Sequence, residues 1–226
     1  MKRTPRRAFL FVAACILVSP ALLRAEFPAA AIDRYLDGCA ARGEFNGVVL
    51  VARKGVVKYH RALGTASMDG ARPLKKESVF RLASVAKAFT SMSILMLRDE
   101  RKLSLDDDAR KYVPTLPYAG ATIRHLLHHT SGLPDYVKLL DKHWDAEEGD
   151  LSRRKFATNP DALGQLIKHK PPVKFAPGKR WDYSNTGYML LALVVEKISG
   201  VPFSDFLTRR IFGPLGMKNT VLFTPI

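Results

Sequence analysis

The sequence predicts an α/β fold in which a short antiparallel sheet precedes a set of helices, and three observations carry that reading. Residues 47–64, GVVLVARKGVVKYHRALG, are two β-branched apolar runs around Arg53-Lys54-Gly55, the pattern of a β-hairpin. Residues 80–100, FRLASVAKAFTSMSILMLRDE, read as a long helix that is apolar nearly all round, the kind that a sizeable core covers. Residues 187–199, GYMLLALVVEKIS, repeat that character, with Gly200 placed as a stop. At 226 residues, 47% hydrophobic and 25% charged, the chain has material for one substantial domain.

Taken in order, the elements follow from spacing and punctuation. Ile32, Tyr35, Leu36 and Cys39 recur at helical intervals between Phe27 and Arg42, and Gly43 ends the run. After the hairpin, Thr65 to Ser78 is rich in turn residues and irregular. The helix that follows fades in the charged RDERK, and Pro114 and Pro117 make Tyr112 to Gly120 a loop. ATIRHLLHHTSGLPDY contains a short helix that should end near Gly132. Asp141 to Lys155 is the most polar stretch and reads as a solvated loop or helical lid. Asp161 to Lys170 is a short helix stopped by Pro171-Pro172, and Pro177-Gly178 forces a turn. Asn185 or Thr186 is the expected cap of the helix from Gly187 to Ser199. Val201 to Phe212 is a last amphipathic helix broken at Gly213-Pro214.

The formal net charge is +15, and Lys2, Arg3, Arg6, Arg7 and Arg24 all lie in the first 25 residues. The other cations are scattered among Asp and Glu without an aromatic-interleaved stripe or zinc spacing, so the expectation is a basic protein that does not bind nucleic acid. Residues 1–25 read as an export leader: a cationic start with Arg6-Arg7 in a twin-arginine-like pattern, an apolar run from Ala8 to Val18, and a cleavage position near Ala25. The expected product, residues 26–226, is periplasmic or extracellular. Cys15 offers a lipid anchor as the second choice. The apolar run is short for a membrane span, and none is expected once the leader is removed. Cys39 would then be the sole cysteine, which leaves no intrachain disulfide.

Three places in this sequence could carry chemistry. Ser84 and Lys87 are three residues apart at the start of the long helix, which sets a hydroxyl beside an amine on one face, where free N–H groups favour developing negative charge. The pattern is cheap, since Ser152–Lys155 repeats it in a charged segment where the amine stays solvated and protonated. What distinguishes the first copy is Lys87, an amine set in apolar surroundings, where burial or a nearby cation makes it a better base. Tyr183-Ser184-Asn185 lies in a loop ahead of a buried helix, where side chains can face a cleft. On its own Tyr183 could equally be a core aromatic and Asn185 a helix cap. His125, His128 and His129 fall at i, i+3 and i+4, but no carboxylate joins them in a ligand motif, so neutral structural histidines and no metal are expected.

FRLASVAKAFT, TIRHLLHHTSGLPDY, FAPGKRWDYSNTGYMLLALVVEKISG and IFGPLGMKNT, in that order, closely resemble the serine β-lactamase-like family, which includes class C β-lactamases, penicillin-binding DD-peptidases and related esterases. The resemblance covers about residues 30–220. It implies a β-lactamase/transpeptidase-like fold with a helical region packed on an antiparallel sheet, and hydrolysis of an amide or ester through an acyl-enzyme. It implies further that Ser84 is the nucleophile and that Lys87 takes or relays its proton. Tyr183 would assist the leaving group and the deacylating water, and Asn185 would orient the substrate and Lys87. Ser84 would also lend its own N–H to an oxyanion hole, while the segment from His129 to Leu133 is structural. No cofactor is implied, and the partner is a small-molecule or peptide substrate.

One departure stands out: the family's Lys/His-x-Gly motif, on a strand that supplies the second oxyanion donor, does not follow Tyr183 here. The expectation is a sheet left incomplete, in a piece of a longer reading frame or a shortened homologue. The rival reading is a ligand-binding homologue that does not turn over. Neither the natural substrate nor the oligomeric state is legible.

Overall fold

A computed structural model describes residues 27–144 and 157–223. The proposed leader, Cys15, the second Ser-x-x-Lys at Ser152–Lys155 and most of the polar stretch after Asp141 lie outside the described residues. The chain divides into two compact units, 1–78 and 79–226.

In the first unit, α1 (Ala29–Ala41) precedes β1 (Gly47–Arg53) and β2 (Val56–Leu63), which pair antiparallel. Gly47 stands opposite Leu63 and Val51 opposite Tyr59; a bulge then leaves Lys58 unpaired, so that Ala52 faces Val57. Lys54 and Gly55 make the two-residue turn, both with positive φ, the hand that suits the twist of a hairpin. A two-stranded hairpin is marginal in water on its own. Here α1 supports it: Leu36, Cys39 and Tyr59 are buried, the Tyr59 hydroxyl donates to Asp33 (2.5 Å), and Arg61 reaches both Asp33 and Asp37. Cys39 is a free, buried cysteine.

The second unit is helical. Its described elements are a 3₁₀ turn at Ala83–Ala86 running straight into α2 (Lys87–Asp99), a second 3₁₀ turn at Ala109–Lys111, α3 (Ile123–Leu127), α4 (Tyr136–His143), α5 (Asn159–His169), α6 (Asn185–Ser199) and α7 (Phe203–Leu207). A π-helical turn, Thr208–Phe212, extends α7. The centre is α6, whose Leu190, Leu191, Val194 and Val195 are completely buried. Ile94 and Leu97 of α2, Ile123 and Leu126 of α3, Leu166 of α5 and Phe206 of α7 join them in one core. Phe89 meets Phe212 edge to face at 5.2 Å, which ties the start of α2 to the end of the chain's last helical run.

The α/β class stands, with a two-stranded antiparallel sheet and a helical remainder. Four local expectations change. The Ser84 helix is not covered all round. Its Ile94 and Leu97 side packs on α6, while Val85 and Met92 on the other side are 66% and 51% exposed, because no described element of this unit lies over them. The cap of α6 is neither Asn185 nor Thr186 but Ser184, whose extended backbone lets its Oγ accept from Gly187 N–H. The short helix α3 stops at Leu127, well before Gly132, and the chain reverses through His129 at φ 58°. The last amphipathic run splits into α7 and a wider π-helical turn. Among the described residues, no helix is long and apolar enough to cross a membrane.

Candidate active site

Ser84 and Lys87 come together through the 3₁₀ turn that precedes α2. With three residues per turn, side chains at i and i+3 eclipse one another, so the pair is closer than an α-helical turn would place it. Lys87 Nζ donates to Ser84 Oγ at 3.2 Å and to Asn185 Oδ1 at 2.9 Å. Ser84 Oγ and the Tyr183 hydroxyl are 2.5 Å apart. Ser84 is exposed and Lys87 half-buried. All four residues singled out from the sequence therefore meet at one point of the helical unit. The first backbone bond of the turn runs from Val85 N–H to Leu82 O, which leaves the N–H of Ser84 outside the ladder among the described residues.

Asn185 can reach Lys87 because it is not needed as a cap. Ser184 performs that task, and Asn185 becomes the first residue of α6 with its side chain turned toward α2. Thr186 next to it is fully buried and occupied elsewhere: its hydroxyl donates to Pro134 O (2.7 Å) and accepts from Tyr136 N–H (2.9 Å).

Tyr183 is held by the loop after α3. Gly178 N–H donates to Thr130 O, Lys174 N–H to Gly132 O and Asp182 N–H to His129 O, which lashes residues 174–182 to residues 129–132. Gly132 sits at φ 69°, and a β-carbon there would lie 2.0 Å from Phe175 O. Only glycine lets the two segments approach so closely. An ion pair between Lys174 and Asp182 (2.5 Å) braces the same loop on its exposed side.

His129 has a larger part than a generic structural residue. Its Nδ1 accepts the N–H of Ser184 (3.1 Å), which puts the proton of the neutral ring on Nε2. Its ring stacks on Tyr183 at 4.6 Å and also meets Tyr188 at 5.1 Å. Burial, with the Lys87 ammonium adding to it, pushes the His129 pKa below the ordinary histidine value. His125 does a different job, closing a capping box with Thr122 at the start of α3, so the histidine trio does not converge.

Hydrogen bonding from Lys87 and then from Ser84 holds the Tyr183 phenol below the usual tyrosine range. Lys87 Nζ also lies over the Tyr183 ring (4.9 Å) and over the Tyr188 ring (5.5 Å). Tyr188 was not singled out from the sequence. The available signal was its place three residues after Asn185, which puts both on one face of α6.

This arrangement has relatives. The Beta-lactamase family model matches residues 32–226. The chain belongs to the beta-lactamase family. Among curated relatives it is 44% identical over 177 residues to penicillin-binding protein 4* of Bacillus subtilis (strain 168), covering 78% of this chain and 38% of that protein. It is 31% identical over 204 residues to esterase EstB of Burkholderia gladioli, covering 84% of this chain and 50% of the esterase. The crystal structure of a D-amino acid amidase from Ochrobactrum anthropi SV3 superposes with a TM-score of 0.68 at 32% identity, covering 84% of this chain and 50% of the amidase. The beta-lactamase-type chain thus spans half or less of the length of each of these relatives, and the fold it shares with them is the β-lactamase/transpeptidase-like one.

Proposed function

We propose that the protein is a serine hydrolase that cleaves an amide or ester through an acyl-enzyme on Ser84. The observation that carries this is the triangle of Ser84 Oγ with the Tyr183 hydroxyl at 2.5 Å and Lys87 Nζ at 3.2 Å. A serine becomes a competent nucleophile only when a group within hydrogen-bond reach can take its proton. The base is the Tyr183 phenolate, which hydrogen bonding from Lys87 and Ser84 favours by holding the phenol below the usual tyrosine range. As Ser84 Oγ attacks the substrate carbonyl its proton passes to that oxygen, with the Lys87 ammonium stabilising the phenolate before the transfer. As the carbonyl re-forms, the bond to the leaving nitrogen or oxygen breaks and the Tyr183 proton goes to that atom. A water molecule then repeats the sequence: its proton goes to Tyr183, its oxygen joins the acyl carbon, and Ser84 leaves with the proton returned. Asn185 keeps Lys87 in place through its Oδ1 and offers its amide N–H₂ to the substrate. The unladdered N–H of Ser84 is one donor for the oxyanion. The relatives named an esterase, a penicillin-binding protein and a D-amino acid amidase support both an ester and an amide as substrate class.

The test is intact-mass analysis after incubation with a β-lactam, an activated ester and a D-amino acid amide, followed by peptide mapping. An adduct on Ser84 is expected with at least one of them, none in Ser84→Ala, and labelling slowed by roughly 10²–10⁴ in Lys87→Met. Failure of all three acyl donors to modify Ser84 would overturn the proposal, and an adduct that forms but never clears would make the protein an acylatable binder instead of a hydrolase.

We infer also that residues 1–25 direct export and are removed near Ala25. The cationic start with Arg6-Arg7 and the apolar run from Ala8 support this reading. N-terminal sequencing of the protein recovered from outside the cytoplasm should begin at Glu26; a lipid-modified Cys15 or an intact Met1 would refute it.

A further inference from the structure

Lys87 is half-buried, yet no carboxylate forms an ion pair with it among the described residues. An ammonium in that setting needs another source of negative potential. Two hydrogen-bond acceptors, Ser84 Oγ and Asn185 Oδ1, supply part of it. The remainder comes from two ring faces, Tyr183 at 4.9 Å and Tyr188 at 5.5 Å, both within the range over which an aromatic face attracts a cation.

Of these two rings only Tyr183 has a place in the proposed reaction. Tyr188 is anchored at its far end: its hydroxyl donates to Leu127 O at 3.1 Å, at the end of α3, and meets Ser91 Oγ of α2 at 3.1 Å. Those two contacts help to seat the ring between α2, α3 and α6, whose packing on one another also holds it and where it flanks the His129 ring. The hydroxyl is therefore spent on positioning, and what the ring turns to Lys87 is its face. We propose that Tyr188 is a positioning residue whose ring face joins that of Tyr183 in an aromatic box that seats the Lys87 ammonium, and so keeps a positive charge beside the Tyr183 oxygen that receives the Ser84 proton. The proposal deepens the catalytic reading above and rests on it for its consequence, though not for its geometry. The titratable or charged groups facing this box are Lys87 from α2, Tyr183 and His129 from the two lashed loops, and Tyr188 from α6. Of these, His129 is the one other group that could become cationic, and burial and Lys87 itself keep it neutral.

The experiment separates ring face from hydroxyl, and position from fold. Tyr188→Phe keeps the face and removes both anchoring contacts; fluorinated phenylalanines placed at position 188 keep the volume and progressively remove the negative face. Each protein is labelled with ¹³Cζ-tyrosine, the Tyr183 resonance is assigned by its loss in Tyr183→Phe, and its titration is followed directly, which needs no turnover. Tyr188→Phe should leave the Tyr183 midpoint within about 0.2 of a pH unit, and the most fluorinated ring should raise it by about half a unit, in graded steps. Thermal unfolding of the fluorinated series should stay level, since shape is kept. A midpoint that ignores fluorination, or one that moves as much in Tyr188→Phe as in the fluorinated proteins, overturns the proposal. The acid limb of Ser84 acylation should move upward in parallel with the Tyr183 midpoint. If the midpoint moves and the acylation profile does not, the aromatic box stands and the role of Tyr183 in the proposed reaction falls.

Discussion

Replacing Gly132 by alanine should damage this protein far more than one added methyl group suggests. Gly132 has φ 69°, and the new β-carbon would lie 2.0 Å from Phe175 O and 3.0 Å from Phe175 C and Cδ2. The left-handed backbone alone costs an alanine about 1–2 kcal/mol. Contact with a backbone oxygen cannot be relieved by turning a side chain, so residues 174–176 must retreat by more than about 1 Å, with loss of the Lys174 N–H to Gly132 O bond and a further cost of about 1–3 kcal/mol. The sum is about 2–5 kcal/mol. Gly200, at φ 72° with nothing within 4 Å of its would-be β-carbon, isolates the backbone part. In urea, with a slope of about 2 kcal/mol per molar, Gly132→Ala should lower the unfolding midpoint by about 1–2.5 M and Gly200→Ala by about 0.5–1 M, so that the glycine at the close approach loses the more. The same retreat pulls on the segment that ends in Tyr183, so Ser84 labelling should slow in Gly132→Ala and stay unchanged in Gly200→Ala. Equal midpoints for the two variants would refute the argument that the close approach to Phe175 positions the Tyr183 loop.

Three further outcomes test other joints of the structure. Ser184→Ala removes the cap of α6 and should cost about 1 kcal/mol by urea unfolding, with Asn185→Ala costing clearly less; the reverse order would restore Asn185 as the cap. Thr186→Val strands Pro134 O and Tyr136 N–H in the core, and a loss of about 1–3 kcal/mol is expected; a neutral effect would mean that the bridge is dispensable. His129 is held below the ordinary histidine value in the folded protein, so between that value and its folded one the unfolded chain binds the extra proton and stability falls as pH falls. The margin in stability of the native protein over His129→Gln should therefore shrink as the pH is lowered from about 7.5 to about 5.5 through the histidine range, and a constant margin in urea titrations would exclude His129 as the source.

Most secondary structure was legible because it is written in local chemistry. The hairpin follows from two β-branched runs around a Lys-Gly turn, and the end of α5 follows from the two prolines after Lys170, while its start, capped by Thr158, lies two residues before the expected Asp161. Where reading failed, two local answers were chemically equivalent or coverage was the question. Ser184, Asn185 and Thr186 are all competent caps, and the extended backbone at Ser184 decided among them. Composition reports that the Ser84 helix is apolar but not which of its sides finds a neighbour, so the exposure of Val85 and Met92 was invisible.

By itself the sequence determined the Ser84–Lys87 pair, because three residues along one turn place two side chains together whatever the rest of the chain does. The order of its motifs determined the family. Only the tertiary structure brought Tyr183 and Asn185 to that pair across 99 and 98 residues, by packing α2 against α6 and lashing the Tyr183 loop to residues 129–132. It also decided that Lys87 lies over two aromatic faces. Periodicity states which residues share a helix face, but only packing settles which way a ring turns once it is there.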